Sequence, residues 1–381
     1  MATLMHRTLR IGASLHDFLP RLLALGKPFQ IGGVCRTSAV TPMPGTRRGL
    51  SAGAGGQHGA AVTGPNEGAV CARLTGRSLV RMAGPDSTQL LQDLVTNDTG
   101  LMWGRSRVMY AMFLNTQGRV LFDVLCYRVS DDSSQSASFL LECDTTVQPQ
   151  LIRHLKMYRI RKKVDISSMD DQLQTWALFS ASSEAKGAAV AALNGGTADG
   201  SEIVAEDPRV EGFGQRILLP REDSATSLVP ESTEVDPEAY VSHRYRWGVP
   251  EGVTDLPLGD CLPLESNLAY MNGVSFSKGC YLGQELTART HHTGVIRKRI
   301  MPVKIHSCSA SLPEGGAKVI SEEGRNVGKL RSCHGDRGLA LLRVAMCKDK
   351  RLLIVGGDGS RTELEAKVPA WWPAEEGDRT Q

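Results

Sequence analysis

The chain has 381 residues, too many for one compact core and enough for two or three domains of ordinary size. Hydrophobic content of 41% and charged content of 22% describe an ordinary globular composition. No window approaches the roughly 18–20 uninterrupted apolar residues that a membrane-spanning helix needs. The net charge of +3 is unevenly placed. Residues 1–66 carry seven basic side chains against one acid, Asp17, and the remainder carries 37 basic and 40 acidic residues, so the basic balance is no footprint for nucleic acid.

That N-terminal stretch is Arg-containing, nearly acid-free and Ser/Thr-bearing, and Leu4, Leu9, Ile11, Leu15, Phe18, Leu19, Leu22 and Leu23 can gather on one helical face. The composition is that of a mitochondrial transit peptide, whose basic amphipathic helix suits import across a negative-inside membrane. Arg48-Gly49-Leu50-Ser51 resembles a matrix processing site, and residues 1–57 are assigned to the leader and its linker. The Gly-rich run from Ser51 to Gly68 continues the linker.

In the body, Ser78–Ala83 reads as a strand, and Pro85 opens a short helix with Leu90, Leu91 and Leu94 on one side. The apolar runs Val108–Leu114 and Val120–Val129 flank Asn115-Thr116-Gln117-Gly118, a hairpin signal. Phe139–Glu142 is another strand. A helix follows through Leu151, Leu155 and Tyr158 and ends in Arg159-Ile160-Arg161-Lys162-Lys163. Cations there complement the carbonyl end of the helix dipole, and the same run suits an acidic ligand or partner. Next come a strand at Thr175–Phe179, an Ala-rich helix near Ser183–Leu193 closed by Gly195-Gly196, strands at Glu202–Ala205 and Gln215–Leu219, and a helix at Pro237–Trp247. From Val295 to Val368, short strands and glycine turns predict a small β-barrel. The class is α+β with antiparallel sheets.

Nine cysteines are scattered through the chain without a C-x-x-C pair, so neither a zinc knuckle nor an autonomous four-cysteine cluster site is signalled. Most sit in apolar runs and read as small core residues. Cys280 stands apart, in Lys278-Gly279-Cys280-Tyr281-Leu282-Gly283-Gln284-Glu285, with Arg289, His291 and His292 downstream. Two glycines bracket the cysteine and tyrosine, as where backbone bends sharply or meets a ligand closely. Lys278 and Arg289 are positive neighbours of a thiol whose thiolate is the nucleophile and metal ligand. Chemistry alone leaves a reactive or metal-binding thiol and a structural cysteine in a tight turn both open. His291 and His292 are adjacent, so their side chains diverge in regular structure and are not read as joint ligands.

The octapeptide resembles the signature of the YgfZ family, relatives of the glycine-cleavage T-protein (GcvT, an aminomethyltransferase). Further segments support the likeness. Tyr110 to Arg119 resembles the T-protein hairpin that precedes its acidic site, and Leu264-Glu265-Ser266-Asn267-Leu268 is similar to the segment holding its pterin-binding glutamate. Val327 to Ser332 and Pro369-Ala370-Trp371-Trp372-Pro373 look like its C-terminal barrel and end. The resemblance, over about residues 69–373, implies three domains in a cloverleaf around a central folate-type cavity. The discontinuous first domain is placed at 69–119 and 233–295, a ferredoxin-like insertion at 120–232, and the β-barrel at 296–373.

With a mitochondrial leader, the resemblance points to the eukaryotic branch, late-acting assembly factors for 4Fe–4S proteins in the matrix, with A-type cluster carriers as partners. Cys280 is then the functional thiol and the ligand of a transient, shared iron–sulfur cluster, supported by Lys278, Gly279, Tyr281, Gly283, Gln284, Glu285 and Arg289. Glu265, Asp123 and Tyr110 are the candidates for tetrahydrofolate in the cavity. The alternative is a folate-dependent one-carbon transferase, and a third reading is a purely structural adaptor. Where T-protein has an Asp-Asp pair, this chain has Phe122-Asp123, which argues against a conventional enzyme; Asp123 either takes over or braces the hairpin. Arg297, Lys298 and Arg299 face either a glutamyl tail or solvent.

Overall fold

The computed structural model describes residues 68–104, 106–129, 137–181, 195–196, 202–306, 315–347, 350–356 and 359–373. The leader with its processing site, the helix expected near Ser183–Leu193, Cys35 and Cys308 lie outside the described residues. The first half of the body runs β1 (Ala69–Arg73), β2 (Arg77–Ala83), α1 (Ser87–Leu94), β3 (Val108–Leu114), β4 (Val120–Arg128), β5 (Ser138–Asp144), α2 (Gln148–Tyr158), β6 (Asp165–Ser168) and β7 (Leu173–Ser180). Then come β8 (Gly195–Gly196), β9 (Ile203–Glu206), β10 (Gln215–Pro220), α3 (Ala225–Leu228), β11 (Thr233–Val235), α4 (Pro237–Trp247), α5 (Gly252–Asp255) and α6 (Gln284–Thr293). The last strands are β12 (Lys298–Ile305), β13 (Lys318–Ser321), β14 (Asn326–His334), β15 (Arg337–Arg343), β16 (Leu352–Val355) and β17 (Arg361–Ala366).

Three β units result, and the class is α+β as the sequence predicts. β12–β17 close into a barrel in the order β12-β15-β14-β13-β16-β17, beginning two residues after the expected boundary at 296. The five-stranded sheet has the order β3-β4-β5-β2-β6, all antiparallel. Set aside edge strand β3, and β2-α1-β4-β5-α2-β6 has the ferredoxin-like pattern, with its first strand between the third and the last. The ferredoxin-like unit is therefore residues 77–168, not the expected 120–232. The expected boundary at 119/120 falls inside a hairpin. Asn115 Oδ1 accepts from the amides of Gln117 and Arg119, and β3 pairs with β4 from Val108↔Tyr127 to Leu114↔Val120. The six-stranded sheet, β11-β1-β7-β10-β9-β8, starts before this unit with β1 and resumes after it with β7.

Period-two alternation explains the layers. In β3, Met109, Ala111 and Phe113 face the core under α1 and α2, where Leu90, Leu91, Leu94, Leu151 and Leu155 meet them. Tyr110, Met112 and Leu114 face the other way, into a core shared with Ala177, Phe179 and Leu218 of the six-stranded sheet. Covered on both faces, β3 is buried along its whole length.

The space between the two sheets also holds charge. Arg77 Nε lies 2.9 Å from Glu142, Arg209 lies 2.7 Å from Asp207 and 2.8 Å from Glu251, and Arg216 Nη2 lies 2.5 Å from Glu251. Tyr127 and Tyr240 donate their hydroxyls to Glu142 and Glu251. Arg244 pairs with Asp255, which also accepts from Ser332 of the barrel. Burial pushes the Glu251 carboxyl up, but Arg216, Arg77, Arg209 and Arg244 outweigh it and hold the group well below its ordinary 4.5. As pH falls below 4.5, the unfolded chain takes up that proton first, so this stabilisation is present above 4.5 and is lost as pH falls toward the folded pKa. Glu251→Gln is expected to destabilise the fold by about 3–5 kcal/mol at neutral pH, because buried guanidinium groups lose their partner, and to flatten the acid limb of the stability curve. Urea unfolding at neutral and acid pH checks both; an unchanged acid limb would assign that limb to other carboxylates.

Candidate functional site

The Cys280 octapeptide occupies the turn that enters α6, a helix for which the sequence reading gave no element. Its shape is set from inside. Lys278 Nζ donates to three carbonyls at the end of α1 and beyond, Gln92 O and Val95 O at 2.7 Å and Asn97 O at 2.8 Å. The ammonium also lies 5.1 Å from the Tyr281 ring centroid, and Tyr281 is buried. Burial pulls the Lys278 amine down to about 8, against the opposing charges of Asp98 and Asp93. Lys278 was expected to act as a charge beside the thiol; the structure turns it inward, where it ties the loop to α1.

The other motif residues divide between brace and surface. The Leu282 amide donates to Asp93 O at 3.0 Å, and Gln284 Oε1 accepts from the Tyr281 amide at 3.2 Å. Gly283 has φ +80°, and a Cβ there would collide with the Asn115 carbonyl of the β3–β4 turn. Gly118 of that turn has φ +77°, and a Cβ there would lie 2.9 Å from Leu286 of α6 and 3.0 Å from the Gly283 carbonyl, so the hairpin tip and the start of α6 need each other's glycines. Gly279 is different: among the described residues, nothing beyond its chain neighbours lies within 4 Å of where its Cβ would be. Gly279, Cys280, Glu285 and Arg289 are exposed, and Phe276 stacks on His291 with ring centroids 3.5 Å apart.

Cys280 is the one exposed cysteine among the described residues, and Cys333 is intermediate. Burial pushes the Cys143 and Cys347 thiols up to about 12 and that of Cys261 to about 11, and raises Cys126 further. These thiols are inert core residues, as their apolar runs predicted. No group of three or more His, Cys, Asp and Glu side chains converges as a metal site among the described residues.

Sequence reasoning missed Thr96 and Asn97, both buried. Thr96 Oγ1 donates to Gly273 O and accepts from the Met112 amide, while Asn97 Nδ2 donates to Tyr110 O and Asn272 O. They knit the segment leading into the motif onto β3. The available signal was Thr-Asn-Asp directly after an apolar helix, where short polar side chains bond the backbone of a turn.

The three residues expected to hold a folate are not brought together. Asp123 and Tyr110 sit in the charged layer between the sheets: Asp123 Oδ1 accepts from Gly252 N at 3.1 Å, and its other oxygen lies 3.6 Å from Arg77. Burial pushes the Asp123 carboxyl up, with Arg77 pulling the other way. Burial likewise raises the Tyr110 phenol well above its ordinary range. Glu265 instead lines a cleft of about 800 Å³ between α6, the segment from Leu262 and the barrel. It is half-buried, and burial raises its carboxyl although Lys298 opposes the shift.

Comparison with known proteins settles the family. A family profile described as the GCVT N-terminal domain matches residues 67–191, and one described as the CAF17 C-terminal beta-barrel domain matches residues 297–374. The mitochondrial iron–sulfur cluster assembly factor IBA57 of Homo sapiens is 47% identical over 319 residues, covering 81% of this chain and 87% of that protein. Its counterpart in Mus musculus is 43% identical, covering 80% and 85%. The chain belongs to the IBA57 family. The crystal structure of the glycine cleavage system aminomethyltransferase T from Bartonella henselae shares the fold, with TM-score 0.62 at 15% identity over 80% of this chain and 86% of that one.

The structure also explains why this IBA57-family chain offers one acid at Phe122-Asp123. Neighbouring residues of a strand face opposite ways. Phe122 packs with Phe113 and His154 in the core beneath α2, and Asp123 alone faces the charged layer. Asp123 thus braces the interior, reaching across to α5.

Two expectations follow from the motif geometry. Lys278→Met leaves three carbonyls without their donor and is expected to cost about 2–3 kcal/mol of stability and to speed amide hydrogen exchange across residues 276–283. Gly283→Ala is expected to destabilise by at least about 1 kcal/mol, whereas Gly279→Ala leaves the thermal midpoint unchanged. Thermal melts of the three variants check this ranking; equal losses for both glycine variants would contradict it.

Proposed function

We propose that this chain works in iron–sulfur cluster assembly in the mitochondrial matrix, at the late step that builds 4Fe–4S proteins, and that Cys280 is the thiol through which it meets the cluster. The relatives are mitochondrial iron–sulfur cluster assembly factors, which supports the assembly role. The basic, acid-poor leader supports delivery to the matrix. The observation that carries the finer reading is the presentation of Cys280: an exposed thiol on a loop braced by Lys278, Tyr281 and Gly283.

Clusters normally take four protein ligands. Cys280 offers one, and no further group of ligating side chains converges among the described residues. The remaining ligands come from a partner, and an A-type carrier, which brings its own thiolates, meets that need. The cluster is cargo here: the Cys280 thiolate completes a shared site while the cluster passes between proteins. A folate-dependent transferase has less in its favour, since Asp123 is enclosed by Arg77 and Gly252 and stands apart from the Glu265 cleft.

The test mixes the chain anaerobically with an A-type carrier loaded with 2Fe–2S clusters and follows visible absorption and Mössbauer spectra, with Cys280→Ser alongside. A shared cluster is expected with wild type and not with the variant. Cells lacking the protein are expected to regain lipoylation and aconitase activity with wild type only. Identical spectra, together with full rescue by Cys280→Ser, would sink the thiol-ligand reading and leave an adaptor role.

A further inference from the structure

Residues 148–163, helix α2 and the turn that ends it, carry six lysines and arginines and no acid. The structure divides the six. Arg159 Nη1 donates to Val164 O at 3.0 Å, and Lys162 Nζ lies 2.8 Å from Asp93. These two serve the fold. Arg153, Lys156, Arg161 and Lys163 are exposed, and their side chains have neither a carboxylate partner nor a hydrogen bond among the described residues. A cation that served only the helix dipole would sit in the last turn against the free carbonyls. Lys156 alone of the four lies in that turn, and it bonds none of them.

Helical spacing, carried on through the turn, puts Arg153, Lys156, Met157, Ile160 and Arg161 on one exposed stripe, opposite the buried Leu151, His154 and Leu155. It is roughly 12 Å long. Two large apolar side chains stand open among its cations: Met157 is 57% exposed and Ile160 73%. Arg161 adopts φ +60°, the left-handed conformation in which helices commonly end and which glycine bears without strain. An arginine there costs stability that no contact among the described residues offsets. The stripe adjoins the thiol. Asp93, which holds Lys162, accepts the Leu282 amide through its carbonyl at 3.0 Å, and Leu282 is two residues beyond Cys280. Leu282 also packs against the core that Leu151 and Leu155 of α2 cover. Stripe and Cys280 loop therefore flank one another on the helix-covered side of the five-stranded sheet.

We infer that this stripe docks the protein that meets Cys280, and that the docking face of that partner is acidic, with carboxylates set around an apolar patch that takes Met157 and Ile160. The inference rests on the proposed cluster handling for the partner's identity and adds where and how it docks. Exposed cations speed encounter with a face of opposite charge, and the apolar pair slows departure. An anionic membrane also suits cations beside an isoleucine. A bilayer laid on the stripe would cover the loop next to it, however, whereas a protein that brings cluster ligands to Cys280 has to lie there.

The test follows association of the full-length chain with a cluster-free A-type carrier at low and high ionic strength. Arg153→Glu combined with Arg161→Glu is expected to slow association about tenfold at low ionic strength, with the difference closing as salt screens the charges. Ile160→Ser is expected to speed dissociation about tenfold, as loss of an apolar anchor would. Arg161→Gly is expected to slow association and to leave the thermal midpoint of the free chain equal or raised, which separates docking from folding. Cys280→Ser is expected to bind the cluster-free carrier as wild type does and to form no shared cluster, whereas the double variant still forms it once concentrations are raised. Failure of the thiol reading therefore shows in the cluster spectra, and failure of this one in the association rates. Wild-type association rates in the double variant would overturn the inference, as would a carrier that does not associate with wild type. If the double variant kept those rates but lost binding to phosphatidylcholine–phosphatidylglycerol vesicles, the stripe would face a membrane instead. A lower midpoint for Arg161→Gly would overturn it too, by giving that side chain a structural role.

Discussion

The rest of the structure depends on the charged layer between the two sheets. Arg77 and Glu142 come from the five-stranded sheet, Arg216 comes from β10 of the other, and Asp207 and Arg209 follow β9. Glu251 joins them from the segment between α4 and α5, and Asp255 extends the chain of contacts to Ser332 of the barrel. Such a network is no simple source of stability, since several ions must leave water to form it and apolar residues of equal volume would do as well or better. What it supplies is a fixed relation. Arginine forks donate to carboxylates in few geometries, so one sheet sits on the other in one register.

That layer also decides where open space is left. Asp123 and Tyr110 are spent inside it: one oxygen of Asp123 takes the Gly252 amide, and the Tyr110 ring lies beneath the Arg209 guanidinium at 5.7 Å from its centroid. The open cleft is displaced toward Glu265, α6 and the barrel. The same β3 that carries Tyr110 anchors Thr96 and Asn97, which in turn hold the approach to Cys280. The thiol thus stands at the surface on a loop whose supports run back to the inter-sheet core, an arrangement that holds a functional group in place more firmly than a free loop would.

Local signals in the sequence were sufficient for most elements. The apolar runs flanking Asn115-Thr116-Gln117-Gly118 predicted β3 and β4 almost to the residue, and the helix at Pro237–Trp247 and the terminal barrel emerged as expected. The partition between the two sheets did not, because it rests on pairings such as β1 with β7 that join residues about a hundred positions apart, which no local period reports. The role of Lys278 was hidden for a related reason. Two positions from a cysteine in sequence, it reads as an electrostatic neighbour, but the loop turns its ammonium onto carbonyls of a helix nearly two hundred residues earlier. Helix α6 begins at a left-handed glycine with no side-chain cap, so it lacks the usual starting signal.

The same physics bears on the proposed handling of clusters. A protein that supplied all four thiolates would hold a cluster strongly, and release would then require breaking four bonds within one rigid site. A single thiolate on a braced loop contributes geometry with little retention: it completes a shared site while a partner's ligands are present and lets go when they leave. The bracing matters because an unanchored loop would lose conformational freedom each time it bound, and that loss would oppose formation of an already weak shared site. Lys278, buried Tyr281 and the glycine contact at the hairpin tip remove that freedom before any partner arrives. Gly279 is the exception, with nothing among the described residues to explain the absence of a side chain beside Cys280. On the proposed reading that missing Cβ leaves room for a partner's backbone or cluster sulfides to approach the thiol, and the constraint on Gly279 then lies in the complex and not in the fold.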